Sequence, residues 1–212
     1  MYLSDDEQAE AIKKWWKENG RAVVSGIVLG LAVVVGVRYW FQYTHTQAQN
    51  ASIIYAQIEQ ALERSDATTV LEQGQVLLND YGRTTYAVMA AMSMAKVAIA
   101  AGKTDQAKDH LQWVVAHADD GLQHTARLRL ARLLLEEEKL EQAAGLLTGV
   151  KSAGYSAAYE ELRADLALAQ GNAAQARELY RLALAESSGI KREFLQMKID
   201  NLAVDAPSTQ AR

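Results

Sequence analysis

Three stretches of the chain align without gaps: AGKTDQAKDHLQWV (101–114), EEKLEQAAGLLTGV (137–150) and QGNAAQARELYRLA (170–183). Their anchors Ala107, Ala143 and Ala176 lie 36 and 33 residues apart. Further columns keep the same offsets: Ala95, Ala131, Ala164; Gly102, Glu138, Gly171; Leu111, Leu147, Tyr180; and Val114, Val150, Ala183. Self-similarity at such a period is typical of a solenoid built from stacked helical units.

Each unit is predicted to hold two helices joined by a short polar turn. The first helices are expected at 85–101, 122–137 and 155–169, and the second helices at 104–117, 139–149 and 173–187. Small residues in the alanine columns allow the paired helices to cross closely, and Gly102 or Gly171 stands at the turn. A period of about 34 residues with this pattern resembles the tetratricopeptide repeat, although the early Trp and the closing Pro of that repeat are missing.

Helical segments flank the repeats on both sides. Residues 48–64 and 67–80 are predicted to form a degenerate first unit. The apolar side of its first helix is expected to carry Ile53, Ile54, Ile58 and Leu62. Residues 190–204 (IKREFLQMKIDNLAV) are predicted to form a capping helix, because the last unit of a solenoid meets water on one face. The side chains expected to pack against the last repeat are Phe194, Met197, Ile199 and Leu202.

A long apolar run lies near the N-terminus. Between Arg21 and Arg38 stand sixteen uncharged residues, AVVSGIVLGLAVVVGV (22–37), and the aromatic stretch YWF (39–41) follows them. Crossing ~30 Å of hydrocarbon takes ~20 residues, which is about the length of residues 21–41. These residues are therefore predicted to form a transmembrane helix. A buried core helix and a cleaved signal peptide are the alternatives. The polar stretch before the run and the bulky RYWF after it argue against the signal peptide.

Basic residues are placed unevenly about this run. Four of them flank its N-terminal side: Lys13, Lys14, Lys17 and Arg21. The C-terminal side has Arg38 and then no Lys or Arg until Arg64. The positive-inside rule therefore places residues 1–20 in the cytoplasm and residues 42–204 on the far side of the membrane.

The cytoplasmic tail, residues 1–20, is predicted to be a short amphipathic helix. Trp15 and Trp16 lie beside the lysines, which suits a helix resting on an anionic leaflet. Asn19 and Gly20 are expected to end this helix. The tail either anchors the membrane helix or binds a partner, and the sequence leaves both open.

Two glycines within the predicted span form a G-x-x-x-G pair. Gly26 and Gly30 lie four residues apart, so both fall on one side of a helix. Their lack of side chains would let another membrane helix approach closely. This glycine pair is therefore a candidate transmembrane contact.

Composition agrees with a helical chain. Aromatic residues make up 7% of the chain, and its single proline, Pro207, lies in a tail at 205–212 that is expected to be disordered. No earlier residue obliges a helix to break. The predicted fold class is all-α, with a single N-terminal transmembrane helix, a tetratricopeptide-like α-solenoid of helix pairs and a C-terminal capping helix.

The order of these features resembles the YfgM family, the ancillary subunits of the bacterial SecYEG translocon. The stretches that carry the resemblance are EAIKKWWKENGR (10–21), the glycine-spaced span ending in RYW (38–40), the repeats and QMKIDNL (196–202). The resemblance implies an inner-membrane protein whose residues 42–204 are periplasmic. It further implies a place beside the translocon and a membrane-anchored prolyl-isomerase-like chaperone, where emerging unfolded exported polypeptides would be passed to periplasmic chaperones. It implies no catalytic residue and no cofactor.

Motifs for chemistry are missing from the sequence. A net charge of −4 disfavours nucleic acid as a partner, and without cysteines there is neither a disulfide nor a thiolate site. His110, His117 and His124 are spaced by seven, about 10.5 Å along a helix, which is too far for two of them to share a metal ion. They are expected to be solvated surface residues. Enzyme activity is therefore not predicted.

A protein-binding groove is the remaining candidate site. The first helix of each unit is expected to line the inner face of such a solenoid. By repeat register this predicted groove carries Met89, Met92, Lys96, Ile99, Leu128, Arg132 and Leu135. Flexible thioethers beside aliphatic side chains suit contact with varied apolar segments. Ordinary core packing of the two methionines is the alternative, and a scaffold for one fixed envelope partner unrelated to export is the alternative function.

Overall fold

The computed structural model of the protein describes residues 5–150 and 154–204, and within them the chain is helical without strands. The predicted all-α class is therefore confirmed. The helices of these residues are α1 Asp5–Glu63, α2 Ala67–Asp80, α3 Thr85–Ala100, α4 Thr104–His117, α5 Asp120–Glu136, α6 Leu140–Leu147, α7 Ser156–Ala169, α8 Ala173–Ala185 and α9 Gly189–Val204. The chain forms two compact units that meet between Asn50 and Ala51. The predicted tail at 205–212 lies outside the described residues.

Helix α1 continues through the position where a stop was expected. Gly20 keeps helical geometry rather than the left-handed conformation of a helix end, so the predicted end of the tail helix at Asn19 and Gly20 is wrong. The Asn19 side chain donates to the carbonyl oxygen of Trp15, one turn earlier, at 3.1 Å, so it does not end the helix. A glycine inside a helix costs only about 1 kcal/mol, which the flanking helical residues outweigh.

Helix α1 is long and apolar enough to cross a membrane. It contains an 18-residue window of mean hydropathy 2.1, and among the described residues it is the one helix that meets these criteria of length and composition. Its apolar side chains are open to the surroundings, with Leu29 70% and Val35 66% exposed. The limits of the tail, the span and the exported domain, at 20/21 and 41/42, stay predictions.

The second unit contains the repeats. Helices α3–α4, α5–α6 and α7–α8 form three pairs, and each helix begins and ends within two residues of its predicted limits. The column alanines Ala95, Ala131 and Ala164 are at most 1% exposed. Their partners Ala107, Ala143 and Ala176 are fully buried. The predicted close crossing of paired helices is therefore confirmed.

One turn conformation recurs in every pair. Gly102, Glu138 and Gly171, which share a sequence column, all have left-handed φ angles of 69°, 57° and 81°. In each case the next residue donates its amide to the carbonyl five residues back, as Lys103 does to Ala98 at 2.9 Å. Such bonds satisfy carbonyls that a helix end leaves free.

The degenerate first unit has the same turn. Ser65 is left-handed with φ 57°, and the Asp66 amide donates to the Ala61 carbonyl oxygen at 2.8 Å. The end of α1 and helix α2 therefore make a fourth pair. Ile58 is buried there and Ile54 and Leu62 are half-buried, but Ile53 is 63% exposed, so the predicted apolar side of this helix does not include Ile53.

Helix α9 packs on the last pair through Ile199 and Leu202, as predicted, but not through Phe194 and Met197. Leu195, Ile199 and Leu202 are buried against α7 and α8. Phe194 and Met197 are 46% and 50% exposed, so their predicted burial is wrong. No later helix in the described residues covers α9. It contacts α7 and α8 through a single apolar face.

Candidate protein-binding surface

The predicted groove residues on α3 reach the surface to different degrees. Met89 and Met92 are half-buried, and Met92 also packs against the core shared by α3, α4 and α5. Lys96 is exposed, and Ile99 is 44% exposed. The last two turns of α3 therefore offer an aliphatic and a cationic side chain to a partner, while Met92 also packs against the core.

The groove residues on α5 divide in the same way. Leu128 is 8% exposed and packs with Tyr159 and Leu162, so it is a core residue with little surface to offer. Leu135 is half-buried between two core clusters, and Arg132 is exposed. Repeat register placed Leu128 on the groove surface, but α7 packs over that part of α5 and buries it.

A cavity of about 400 Å³ opens beside Lys96. Its lining comes from the end of α1, the start of α2 and the end of α3, and includes Leu62, Val70 and Val97. Most of the lining is aliphatic or alanine, while Lys96 and Asp66 carry charge. The cavity could accept an apolar side chain next to a charged group. Sequence reasoning missed it, because a cavity depends on how three segments meet.

Two cations of this surface are free. Neither Lys96 nor Arg132 forms an ion pair with any residue in 5–150 or 154–204. The buried Lys108, by contrast, lies 2.8 Å from Asp105 and 2.7 Å from Glu137. Free cations are available to carboxylates of a partner, whereas Lys108 holds α4 to the end of α5.

Charges also hold the capping helix. Lys198 Nζ lies 2.8 Å from Asp165 and 3.3 Å from Glu161, both on α7. The Tyr180 hydroxyl donates to Asp165 as well. Burial, and then this carboxylate, raise the pKa of Tyr180 above its ordinary value. We interpret this network as structural, since its charged and hydrogen-bonding groups are partners of one another.

The three histidines spaced by seven residues occupy different environments. His117 is exposed and stacks on Trp113 with ring centroids 4.1 Å apart, as a surface residue would. His110 is half-buried, and burial lowers its pKa. His124 is 8% exposed, and its Nδ1 lies 2.8 Å from the Tyr159 hydroxyl, so its predicted solvation is wrong. Within the described residues no group of acidic or histidine side chains could hold a metal ion.

The glycine pair in the membrane helix presents an open surface. Gly26 and Gly30 are exposed, and a Cβ atom built on either would meet no other atom within 4 Å. A methyl group therefore fits at both positions in the isolated unit. Whether these glycines contact another helix depends on a partner, so the contact stays a prediction.

Comparison with known proteins gives a consistent family. A model of the tetratricopeptide repeat-like domain matches residues 13–204. The ancillary SecYEG translocon subunit of Escherichia coli (strain K12) is 26% identical over 206 residues, covering 96% of this chain and 99% of that protein. The protein of that name from Aggregatibacter actinomycetemcomitans is 29% identical over 203 residues, covering 94% and 98%. The protein of the same name from Neisseria gonorrhoeae is 26% identical, covering 95% of this chain and 98% of that protein. No solved structure was found to match.

Proposed function

The chain belongs to the tetratricopeptide repeat-like YfgM family, whose curated members are named ancillary SecYEG translocon subunits, and from this premise we propose that it has the same role. The observation that carries the proposal is the extent of the similarity, which takes in at least 94% of this chain and 98% of each relative described. The apolar helix and the repeats therefore both fall inside the match. The proposed role is non-enzymatic, and a repeat fold that suits protein binding supports it.

The proposed topology is that of a single-pass protein of the inner membrane. Residues 1–20 lie in the cytoplasm and residues 42–204 in the periplasm, because the basic residues crowd the N-terminal side of the span. A reporter that is active only outside the cytoplasm, fused after Val204, should be active. An inactive reporter there, together with an active one at the N-terminus, would reverse the topology.

The repeat domain is proposed to link export to periplasmic chaperones. Its partners would be a membrane-anchored prolyl-isomerase-like chaperone and unfolded exported polypeptides. The exposed Ile99 and the free cations Lys96 and Arg132 support this role, since they offer apolar and charged contacts on the first helices. The half-buried Met89, Met92 and Leu135 would widen the contact when their neighbours shift.

Site-directed photo-crosslinking in intact cells tests this role. A photoreactive amino acid at Arg132 should crosslink to a periplasmic chaperone or to exported polypeptides. The matched control is the same amino acid at Arg181, which is exposed on a second helix. Equal products from both positions, or none from Arg132, would move the binding surface away from the first helices.

A further inference from the structure

A groove of about 690 Å³ runs along the N-terminal part of helix α1. At one end it is lined by Lys17 and Arg21, and further along the helix by Val24, Val28 and Ala32. At about 100° of rotation per residue, these five positions lie on one side of the helix. The groove, which we call the α1 groove, therefore passes from cationic side chains to small and aliphatic ones.

Gly20 shapes the charged end of the α1 groove. The Trp16 indole lies across this glycine, with ring atoms 3.2–3.4 Å from the place where a Cβ would stand. Gly20 is buried beneath it. A side chain at position 20 would displace the indole, so the glycine allows Trp16 to line the groove beside the two cations. Tryptophan is a residue typical of the headgroup level of a membrane.

Positive charge dominates this end of the helix. Residues 13–25 contain four basic side chains and a single acid, Glu18. Lys17 and Arg21 lie one turn apart, and neither forms an ion pair with a residue whose side chain the structure describes. A negatively charged ligand can therefore meet both cations without displacing a partner of either.

The length of the α1 groove matches one leaflet of a bilayer. Lys17 and Ala32 are 15 residues apart, and at about 1.5 Å per residue this is about 22 Å. Half of a bilayer with its headgroups is about 20–22 Å thick. Ser25 also lines the groove, but its hydroxyl donates to the Ala22 carbonyl oxygen at 2.9 Å and leaves no unpaired donor in the apolar part.

We propose that the α1 groove binds one phospholipid with a net negative headgroup. The phosphate lies between Lys17 and Arg21, and one acyl chain follows the aliphatic part of the groove. In the proposed topology this lipid belongs to the cytoplasmic leaflet. The proposal goes beyond the proposed function, since it assigns a ligand to the membrane helix and needs only that α1 spans the membrane.

Charge complementarity selects a lipid over a protein helix as the occupant. A helix crossing at this point would have to bring acidic side chains to the edge of the hydrocarbon, where they are costly. The candidate helix contact is on the other side of α1, because Val28 stands two residues from both Gly26 and Gly30. A partner helix at the glycine pair and a lipid in the α1 groove can therefore be bound together.

Native mass spectrometry of the full chain in mild detergent tests the proposal. The chain is mixed with equal amounts of phosphatidylglycerol, which is anionic, and phosphatidylcholine, which is zwitterionic, both with the same acyl chains. One phosphatidylglycerol should be retained per chain, about tenfold more often than phosphatidylcholine. Inorganic phosphate in excess should not displace it, because the acyl chain contributes to binding.

Charge variants separate a site from general attraction to an anionic surface. Lys17→Gln with Arg21→Gln should lower the retention of phosphatidylglycerol about tenfold, to that of phosphatidylcholine. Lys13→Gln with Lys14→Gln is the matched control, because it removes the same charge outside the groove lining. It should lower retention less than about twofold. The reporter fused after Val204 checks that both variants keep the orientation of wild type.

Glycine variants test the groove without changing any charge. Gly20→Leu displaces the Trp16 indole and should lower the retention of both lipids. Gly36→Leu is the matched control, because that glycine lies in the same helix outside the groove lining. It should leave the retention of both lipids unchanged.

Four results would overturn the proposal. Wild type could retain both lipids equally, or the two charge variants could lose phosphatidylglycerol equally, so that general attraction would suffice. Displacement by inorganic phosphate would assign the cations to a free ion. A wild-type spectrum that shows a dimer without lipid, which Gly20→Leu dissociates, would make the α1 groove a contact between two copies of the chain.

Discussion

The ammonium nitrogen of Lys198 on α9 lies 2.8 Å from a carboxylate oxygen of Asp165 on α7. The same nitrogen reaches Glu161 at 3.3 Å, and Glu161 is only 8% exposed. Lys198 therefore bridges two acids on the first helix of the last pair, and Lys191 lies 3.6 Å from one of them, Glu161. On the same helix Leu195 is buried in the core, whereas Phe194 is 46% exposed.

Removing this cation should loosen the capping helix. Lys198→Met leaves the buried Glu161 short of a partner, and we expect the free energy of unfolding to fall by about 1–3 kcal/mol. Lys191→Met is the matched control, because its nitrogen is 3.6 Å from Glu161 and its side chain is 44% exposed. That variant should lose less than about 1 kcal/mol. Thermal melting of the full chain, followed by circular dichroism, makes the comparison, and equal losses would contradict it.

The turn at Glu138 should tolerate glycine better than glutamate. Glu138 has φ 57°, where a side chain is strained, and its column equivalents Gly102 and Gly171 already lack one. Glu138→Gly should therefore raise the free energy of unfolding by about 1 kcal/mol. Glu136→Gly, two residues earlier in helix α5, should lower it by about 1 kcal/mol. If both variants lower the free energy of unfolding, the turn at Glu138 is not strained.

The sequence predicted these turns in part. Glycine at 102 and 171 marks a left-handed residue, but Glu138 in that column gives no such signal by itself. Alanine columns predicted the helix crossings, because only small side chains allow them. The sequence predicts the buried face of α9 only in part, through Ile199 and Leu202, because apolar residues stand on two sides of that helix. Burial of Leu128 likewise depends on where α7 packs.

Acid should weaken the domain partly through Glu137. Hydrogen bonds from Lys108, and then Lys139, hold the pKa of Glu137 below its ordinary value of 4.5. Its contribution to stability is therefore present above pH 4.5 and is lost as the pH falls through the lower folded value. Glu137→Gln should melt at a lower temperature than wild type at pH 7. Below pH 4.5 its melting temperature should fall by less than that of wild type. Glu136→Gln, an exposed neighbour, is the matched control and should melt at the same temperature as wild type at pH 7.

The glycine pair of the membrane helix should matter for assembly rather than insertion. Gly26→Leu with Gly30→Leu places two large side chains on the surface where another helix would approach, and co-purification with membrane partners should weaken. Gly36→Leu is the matched control, because that glycine is equally open but is not part of the pair. Unchanged co-purification in mild detergent, with both variants inserted normally, would rule out the contact.

Identification of the partners in intact membranes distinguishes a translocon subunit from a scaffold for one fixed partner. The full chain is crosslinked in inner membranes of its own bacterium, isolated, and its partners are identified by mass spectrometry. We expect subunits of the SecYEG translocon together with a membrane-anchored prolyl-isomerase-like chaperone. Recovery of one unrelated envelope protein without translocon subunits would contradict it, and would make the chain a membrane-anchored scaffold for a fixed partner.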